Sequence, residues 1–281
     1  TAGPNMPETI LNYLGPAPTH SPTPPGGGGC RSGITETGEK YQKGSDQSLP
    51  ANRCTPCHPD PMEYNACFES GGIYDWTWCY CGQSPIILDI LGNGYELTDA
   101  VNGIFFDITA TGVSRRIAWT TAETDDAWLV LDRNLNNRID DGKEMFGNIS
   151  EQPAGQNPKQ GFASLGIFDM VERDGNGDGK ITRRDAVFRK LRLWTDRNHN
   201  GVSEPEELSR LPAMDVVAIR LDYQESNRTD QHGNRFRYRA RIRDRNNANV
   251  NRWAWDVFLR TQPRNFARID YRSPKAFYFR A

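Results

Sequence analysis

The stretch DGNGDGKITRRDAVFRKLRLWTDRNHNGVSEPEEL, residues 174–208, sets two polar loops on either side of one apolar run. The second loop carries short oxygen side chains at every second position, then Gly201, then an acid. The EF-hand calcium loop has this spacing, with ligands at positions 1, 3, 5, 7, 9 and 12 and glycine at position 6. The second loop is therefore predicted to bind a divalent cation through Asp196, Asn198, Asn200, the carbonyl of Val202, Glu204 and Glu207.

The first loop of this stretch repeats the pattern with a shorter acid at its end. Because aspartate reaches less far than glutamate, we expect weaker or differently shaped coordination there. Its predicted ligands are Asp174, Asn176, Asp178, the carbonyl of Lys180, Thr182 and Asp185. Between the loops, Val187, Leu191 and Trp194 recur at helical spacing, which predicts a helix over 183–193 and a helix–loop–helix pair.

A third loop precedes these two, and its acid falls one position late. Asn137 occupies the glycine position, where asparagine tolerates left-handed backbone geometry. The predicted ligands are Asp132, Asn134, Asn136, the carbonyl of Arg138, Asp140 and Glu144. Two shorter stretches, around Asp89 and Asp107, keep part of the pattern and are interpreted as turns without an ion. The acid pairs 125–126 and 140–141 are interpreted as ligands or solvated turns rather than as a general acid and base.

The pattern along the 281 residues predicts an α+β fold of four segments. An extended Pro/Gly-rich tail (1–29) precedes a cysteine-rich region (30–83), an EF-hand-like calcium core with short strands (84–213) and a basic antiparallel sheet (214–281). A second helix is expected over 160–172. In the C-terminal sheet the alternation predicts five arginines on one face, Arg235, Arg237, Arg239, Arg241 and Arg243, and an apolar opposite face.

All six cysteines lie within 30–81, in a stretch with few aliphatic residues. An even number of cysteines in such a stretch predicts three disulfides formed in an oxidising compartment, with the connectivity left open. They are Cys30, Cys54, Cys57, Cys67, Cys79 and Cys81. The alternative is c-type haem, since Cys54, Cys57 and His58 form the attachment motif Cys-x-x-Cys-His, with Met62, Met6 or His20 as sixth ligand.

Charge is distributed unevenly along a chain whose net charge is only −2. The middle, residues 84–223, holds 16 basic and 23 acidic residues, whereas residues 224–281 hold 14 basic and 5 acidic ones. This asymmetry predicts contact between unlike surfaces, with copies of the chain or acidic surface polymers as partners. Nucleic acid is not expected, because aromatic residues do not interleave on the arginine face. No apolar run is long enough to span a membrane.

Several segments, in order, resemble one family: SPIILDILGNG, GIFFDITATGVSRRIAW, DDAWLVLDRNLNNRIDDGKEMFG, GFASL and the stretch 174–208. They are similar to the calcium-binding EF-hand-like region of secreted RTX-type proteins, including their self-processing module, over about 84–211. The resemblance implies export, calcium binding and a calcium-ordered fold. In self-processing members calcium triggers cleavage of an Asp-Pro bond, and the matching bond here is Ser84–Pro85. Serine cannot form the anhydride, so self-processing is not expected.

Together these patterns predict a secreted, extracellular calcium-binding protein without enzymatic activity, with a structural or adhesive role. The low carboxylate count of the loops suits a medium in which calcium is about millimolar. A chain that starts at Thr1 is compatible with processing on export. Self-assembly, for example into a filament or surface layer, is the further expectation from the charge asymmetry. The alternatives are calcium-triggered self-processing at an Asp-Pro bond and electron transfer by haem.

Overall fold

A computed structural model describes residues 82–156, 158–246 and 252–261, together with the backbone of four short strands that begin earlier in the chain. The chain divides into two units, residues 1–56 and 57–281. In the first unit β1 (Gly33–Ile34) pairs antiparallel with β2 (Lys40–Tyr41), and in the second β3 (Ile73–Asp75) pairs antiparallel with β4 (Tyr80–Gly82). The predicted Pro/Gly-rich tail, the cysteine side chains and the haem motif lie outside the described residues.

One nine-stranded antiparallel sheet forms the frame of the second unit. Its order is β11-β10-β8-β5-β15-β14-β12-β9, and β13 also pairs with β14. Strands from the middle and the C-terminal part of the chain therefore share one sheet. The strands are β5 (Ile86–Leu88), β8 (Ala127–Val130), β9 (Lys180–Thr182), β10 (Arg192–Trp194), β11 (Leu208–Arg210), β12 (Ala218–Arg220), β13 (Gln224–Thr229), β14 (Arg235–Arg243) and β15 (Trp253–Phe258).

The central strands of this sheet are apolar on both faces. All residues of β5 and β8 are buried, and their side chains divide between two hydrophobic clusters. Leu88 and Leu129 belong to one cluster, whereas Ile87 and Trp128 belong to the other. A separate hairpin, β6 (Ile104–Phe106) with β7 (Arg115–Ile117), packs its buried residues into the second cluster. The sheet is thus covered on both sides, and this accounts for the short continuous apolar runs of its central strands.

The predicted helix over 183–193 is wrong, and with it the helix–loop–helix core. That segment contains the 3₁₀ turn Ala186–Arg189 followed by β10, which pairs with β8 and with β11. The spacing was apolar because β10 contacts a hydrophobic cluster on each face: Leu193 enters one cluster and Trp194 the other. Periodicity alone does not distinguish such a short buried strand from a helix.

The helix predicted over 160–172 is much shorter than expected, and the fold is mostly β rather than α+β. Within the described residues the only α-helix is α1 (Gly161–Gly166), and two 3₁₀ turns, Ile167–Asp169 and Val171–Arg173, follow it. The extended backbone of Met170, with ψ 141°, separates these turns, and Val171 is exposed instead of buried. The helical spacing thus came from a helix and turns that do not share one axis.

A turn at residues 230–234 joins β13 to β14, and the two strands form a hairpin. The face assignment on β14 needs one correction, because the pairing with β15 shifts register between Phe236 and Tyr238. This β-bulge places Phe236 in the second cluster, whereas Tyr238 lies in the first. Strict alternation through Phe236 was therefore wrong. Downstream, Arg239 pairs with Trp255 and Arg241 with Trp253.

Candidate metal loops

The loop that follows Asp196 connects the adjacent strands β10 and β11. Asp196 is buried, and its Oδ1 and Oδ2 accept the N–H groups of Asn200 (3.0 Å) and Gly201 (2.8 Å). Gly201 has φ 72°, a left-handed conformation that glycine adopts without strain. The aspartate therefore holds the turn closed. Asn200 donates its backbone N–H to Asn198 Oδ1 and its side-chain amide to Glu204 Oε1, so the oxygens of Asn198 and Glu204 lie close to Asn200.

The acid at the end of this loop is buried against its beginning. Glu207 Oε1 accepts the N–H of Arg197 at 2.9 Å, and Oε2 accepts the indole N–H of Trp194 at 3.2 Å. Burial raises the pKa of Glu207, and the hydrogen bond from the Asn200 amide lowers the pKa of the nearby Glu204. Glu204 Oε2 is buried, and within the described part of the chain it has no hydrogen-bond partner. An all-oxygen donor set with an unpartnered carboxylate oxygen fits a hard cation such as Ca²⁺.

The loop after β8 has the same construction. Asp132 accepts the N–H groups of Asn136 (3.1 Å) and Asn137 (2.8 Å), and Asn137 takes the left-handed conformation, with φ 64°. The late acid Glu144 is buried and accepts backbone N–H groups from both arms of the loop, including Arg133 at 2.9 Å and Asp140 at 2.8 Å. Burial raises the pKa of Glu144. Glu144 therefore closes the loop, although it falls one position later than the loop pattern requires.

The loop that precedes β9 is anchored by a residue that the loop pattern does not include. Asp169, which is buried, accepts the N–H groups of Asp178 (3.2 Å) and Gly179 (2.8 Å). Asp174, the predicted first ligand, instead ends a 3₁₀ turn with φ 59°. The last predicted ligand, Asp185, accepts the N–H of Asn176 at 3.1 Å and closes the loop. The roles of Asp174 and Asp178 as ligands stay predictions.

The two stretches interpreted as simple turns have the same anchor. Asp89 accepts the N–H groups of Gly92 (2.6 Å) and Gly94 (2.8 Å). Asp107 accepts those of Thr111 (3.1 Å) and Gly112 (2.6 Å). Five aspartates thus close five loops in a similar way.

Comparison with known proteins assigns the family. A family profile described as "SPM domain" matches residues 86–259, more than half of the chain. The chain belongs to the SPM domain family. One curated relative is "Iron-regulated protein FrpA" of Neisseria meningitidis serogroup C, which is 36% identical over 157 residues. The match covers 55% of this chain and 14% of that relative, so the chain spans only a small part of the relative's length.

Three loops of the SPM domain meet around a cleft of about 240 Å³. Its lining includes Asp107, Asp140 and Val202, one from each loop. A hydrogen bond from the N–H of Ile139 to Ser203 Oγ (2.7 Å) ties two of these loops together. Ser203 therefore holds the Asp196 loop against the loop that contains Ile139.

His199, within the Asp196 loop, joins that loop to another part of the SPM domain. Its ring nitrogens lie 2.6 Å from the carbonyl oxygen of Thr120 and 2.8 Å from that of Asn102. The loop is thus fixed at its tip as well as at its two ends, and a change in its shape would be felt by the segments around residues 102 and 120.

The bond Ser84–Pro85 lies at the start of the SPM domain, in a buried polar environment. The N–H of Ser84 donates to Asn148 Oδ1 at 2.8 Å, and the carbonyl of Pro85 accepts the N–H of Val257 at 3.0 Å. Asp256 is fully buried nearby, and its Oδ2 accepts the N–H of Gly161 at 2.6 Å. Burial raises the pKa of Asp256 to about 7, while hydrogen bonds from Ser84 and Gly161 oppose the shift.

Within the described residues, no helix is long and apolar enough to cross a membrane.

Proposed function

We propose that this chain is an extracellular calcium-binding protein whose SPM domain is ordered by Ca²⁺ at the loops 132–144, 174–185 and 196–207. The observation that carries the proposal is the pair Glu204 and Glu207. One carboxylate oxygen of Glu204 is buried and is not paired by any residue that the structure describes, and Glu207 is itself buried. Two acids in one loop repel each other, and a cation bound between loop oxygens removes that cost.

The role of calcium would be structural. The loop 196–207 connects β10 to β11, and the loop 132–144 follows the central strand β8, so ions at these loops would hold strands of the main sheet in register. If an ion binds the folded chain only, it stabilises the fold by about 2.7 kcal/mol per site at a concentration 100 times the Kd.

The test is the substitution Glu207→Gln, with Glu206→Gln as control. Both changes remove one negative charge from the same turn, but Glu206 is exposed whereas Glu207 is buried in the loop. We expect Glu207→Gln to reduce the number of bound calcium ions, counted by native mass spectrometry, and to shrink the calcium-dependent rise of Tm. Glu206→Gln should leave both unchanged. Equal behaviour of wild type and both variants with calcium or chelator would refute the proposal.

We further propose that the chain does not cleave itself at Ser84–Pro85. A serine hydroxyl offers no carboxylate to attack the adjacent carbonyl, which is the step that the resemblance to self-processing modules requires. Incubation of the intact chain with calcium should leave one species by mass spectrometry. Two fragments that end at Ser84 and begin at Pro85 would show the opposite and make the chain an enzyme acting on itself.

The finer role, adhesion or self-assembly at the cell exterior, is supported only by the unequal charge of the acidic middle and the basic C-terminal part. Contact between such surfaces would weaken with salt. Light scattering should detect calcium-dependent association at low ionic strength that high salt reverses. A monodisperse monomer under all these conditions would exclude self-assembly.

A further inference from the structure

Three carboxylates outside the proposed calcium loops converge at one end of the central sheet. Strands β5 and β8 are antiparallel neighbours, so the residue after β5 and the residues before β8 meet at the same end. Asp89 follows the end of β5, and Asp125 and Asp126 precede β8. One oxygen of each carboxylate lies within 4.8 Å of the others. The topology of the sheet thus brings together acids separated by more than thirty residues.

The deepest of these carboxylates has one oxygen that no described residue pairs. Asp126 is fully buried, and its Oδ2 accepts the N–H of Glu96 (2.7 Å) and the hydroxyl of Thr124 (3.1 Å). Its Oδ1 is buried and has no hydrogen-bond partner among the described residues. A buried charged oxygen without a partner costs several kcal/mol or more, so native proteins pair such groups or use them as metal ligands.

Among the described residues, no basic side chain balances the charge of the cluster. Among residues 82–156, 158–246 and 252–261, no lysine or arginine side chain forms an ion pair or a hydrogen bond with Asp89, Asp125 or Asp126. Asp89 is also buried, and its partners are the N–H groups of its own loop. Three carboxylates held together without a cation repel one another.

The segment before β8 supplies a carboxylate that the Asp89 loop lacks. Leu91 occupies the place of the second ligand of the loop pattern and points into solvent, with 72% of its surface exposed. Asp125 instead lies over this part of the loop: its Oδ2 accepts the N–H of Leu91 at 2.7 Å, and its Oδ1 accepts the Asn93 amide at 2.9 Å. The oxygen missing from the loop sequence is thus replaced by a carboxylate from a distant segment.

We infer that Asp89, Asp125 and Asp126 bind a divalent cation of the hard, oxygen-preferring class, Ca²⁺ in an extracellular medium. This site is distinct from the three proposed calcium loops, and it does not rest on them. Its ligands come from two segments that only the folded sheet brings together, so the ion would join the segment after β5 to the segment before β8.

Asp126→Asn tests the site because a bound ion and an empty cluster predict opposite changes of Tm in calcium. Asparagine keeps an oxygen acceptor for Glu96 and Thr124 and removes the repulsion among the acids. If no ion binds, the variant should be as stable as wild type or more stable, with calcium or with chelator. If the site binds an ion, the variant should have the higher Tm in chelator and the lower Tm in calcium, and native mass spectrometry should count one calcium ion fewer.

Two further variants keep the result interpretable. Asp99→Asn removes one negative charge from a different turn, where Asp99 Oδ1 accepts the backbone N–H and the side-chain amide of Asn102, and should leave the ion count unchanged. Asp125→Asn changes a half-buried ligand and should also remove one ion, even if Asp126→Asn fails to fold. An unchanged count in Asp125→Asn, or a Tm order for Asp126→Asn that calcium does not reverse, would overturn the inference. Loss of ions in Glu207→Gln alone would leave the loops as the binding sites and exclude this one.

Discussion

Asp169 Oδ2 accepts the backbone N–H of Gly179 at 2.8 Å, across a loop of ten residues. The same carboxylate accepts the N–H of Asp178, so Asp169 closes the loop before β9. We predict that Asp169→Asn lowers the free energy of unfolding by about 1–3 kcal/mol, because the new amide places a donor against one of these N–H groups. Urea unfolding in chelator measures the effect.

Asp174→Asn is the matched control for that loop. Asparagine tolerates the left-handed backbone of residue 174, so stability in chelator should change little. In calcium the same variant should lose affinity if Asp174 is a ligand. A larger loss of stability in chelator for Asp174→Asn than for Asp169→Asn would contradict the assignment of the anchor.

Gly201 and Gly177 separate backbone strain from steric conflict. Both have positive φ, 72° and 69°. A Cβ on Gly201 would lie 2.6 Å from Ile104 Cδ1 and 3.2 Å from the carbonyl oxygen of Phe105, whereas one on Gly177 would meet no described atom within 4 Å. We predict that Gly177→Ala costs about 1 kcal/mol and that Gly201→Ala costs more, since it adds overpacking of about 1–3 kcal/mol. Thermal unfolding measures the loss of stability in each variant. Equal losses would contradict the packing of the loop 196–207 on β6.

Asp256 should make stability fall as pH rises through the weakly acidic range. Its folded pKa of about 7 lies above the value of about 3.8 expected when unfolded. Between these values the unfolded chain releases the proton that the folded chain keeps, so folding loses stability from about pH 4 to pH 7 and no further above it. Asp256→Asn should remove this part of the pH dependence, worth a few kcal/mol at most, since each pKa unit is worth about 1.4 kcal/mol.

The serine beside Asp256 provides the control for that pH dependence. The Ser84 hydroxyl holds the pKa of Asp256 down, so Ser84→Ala should extend the loss of stability to higher pH. Chemical unfolding from pH 4 to pH 9 compares the three proteins. If wild type and Asp256→Asn have parallel stability curves, Asp256 is charged in both the folded and the unfolded chain.

Arg239 stacks over the indole of Trp253, with the guanidinium carbon 4.5 Å from the ring centroid. Lysine keeps the charge but lacks the planar group that stacks, so Arg239→Lys should cost about 0.5–1 kcal/mol. Arg210→Lys, at an exposed position of β11, should be neutral. A loss of equal size in both variants, by urea unfolding, would mean that the stacking on Trp253 contributes nothing.

The sequence predicts the loops better than the elements that join them, for a physical reason. In the loop 196–207 the residues Asp196, Gly201 and Glu207 lie within one short segment, so spacing alone predicts that they share a loop, and the ligand roles of Asp196 and Glu207 stay predictions. Local patterns do not show that Asp169, rather than Asp174, closes the loop before β9. They also do not show that Asp89 lies near Asp126, because both features depend on how distant segments fold together. β10 was predicted as a helix because both its faces are buried, and the bulge at Phe236 interrupts an otherwise regular alternation.

The indole of Trp194 donates its N–H to Glu207 Oε2 and also packs edge-on against Trp119, with 5.4 Å between the ring centroids. The loop acid is therefore hydrogen-bonded to one of the buried tryptophans of the core. Any event that moves or neutralises Glu207 alters the electric field at Trp194. The fluorescence emission maximum of Trp194 should therefore shift. The fluorescence of Trp194 thus reports on the loop 196–207 without an added dye.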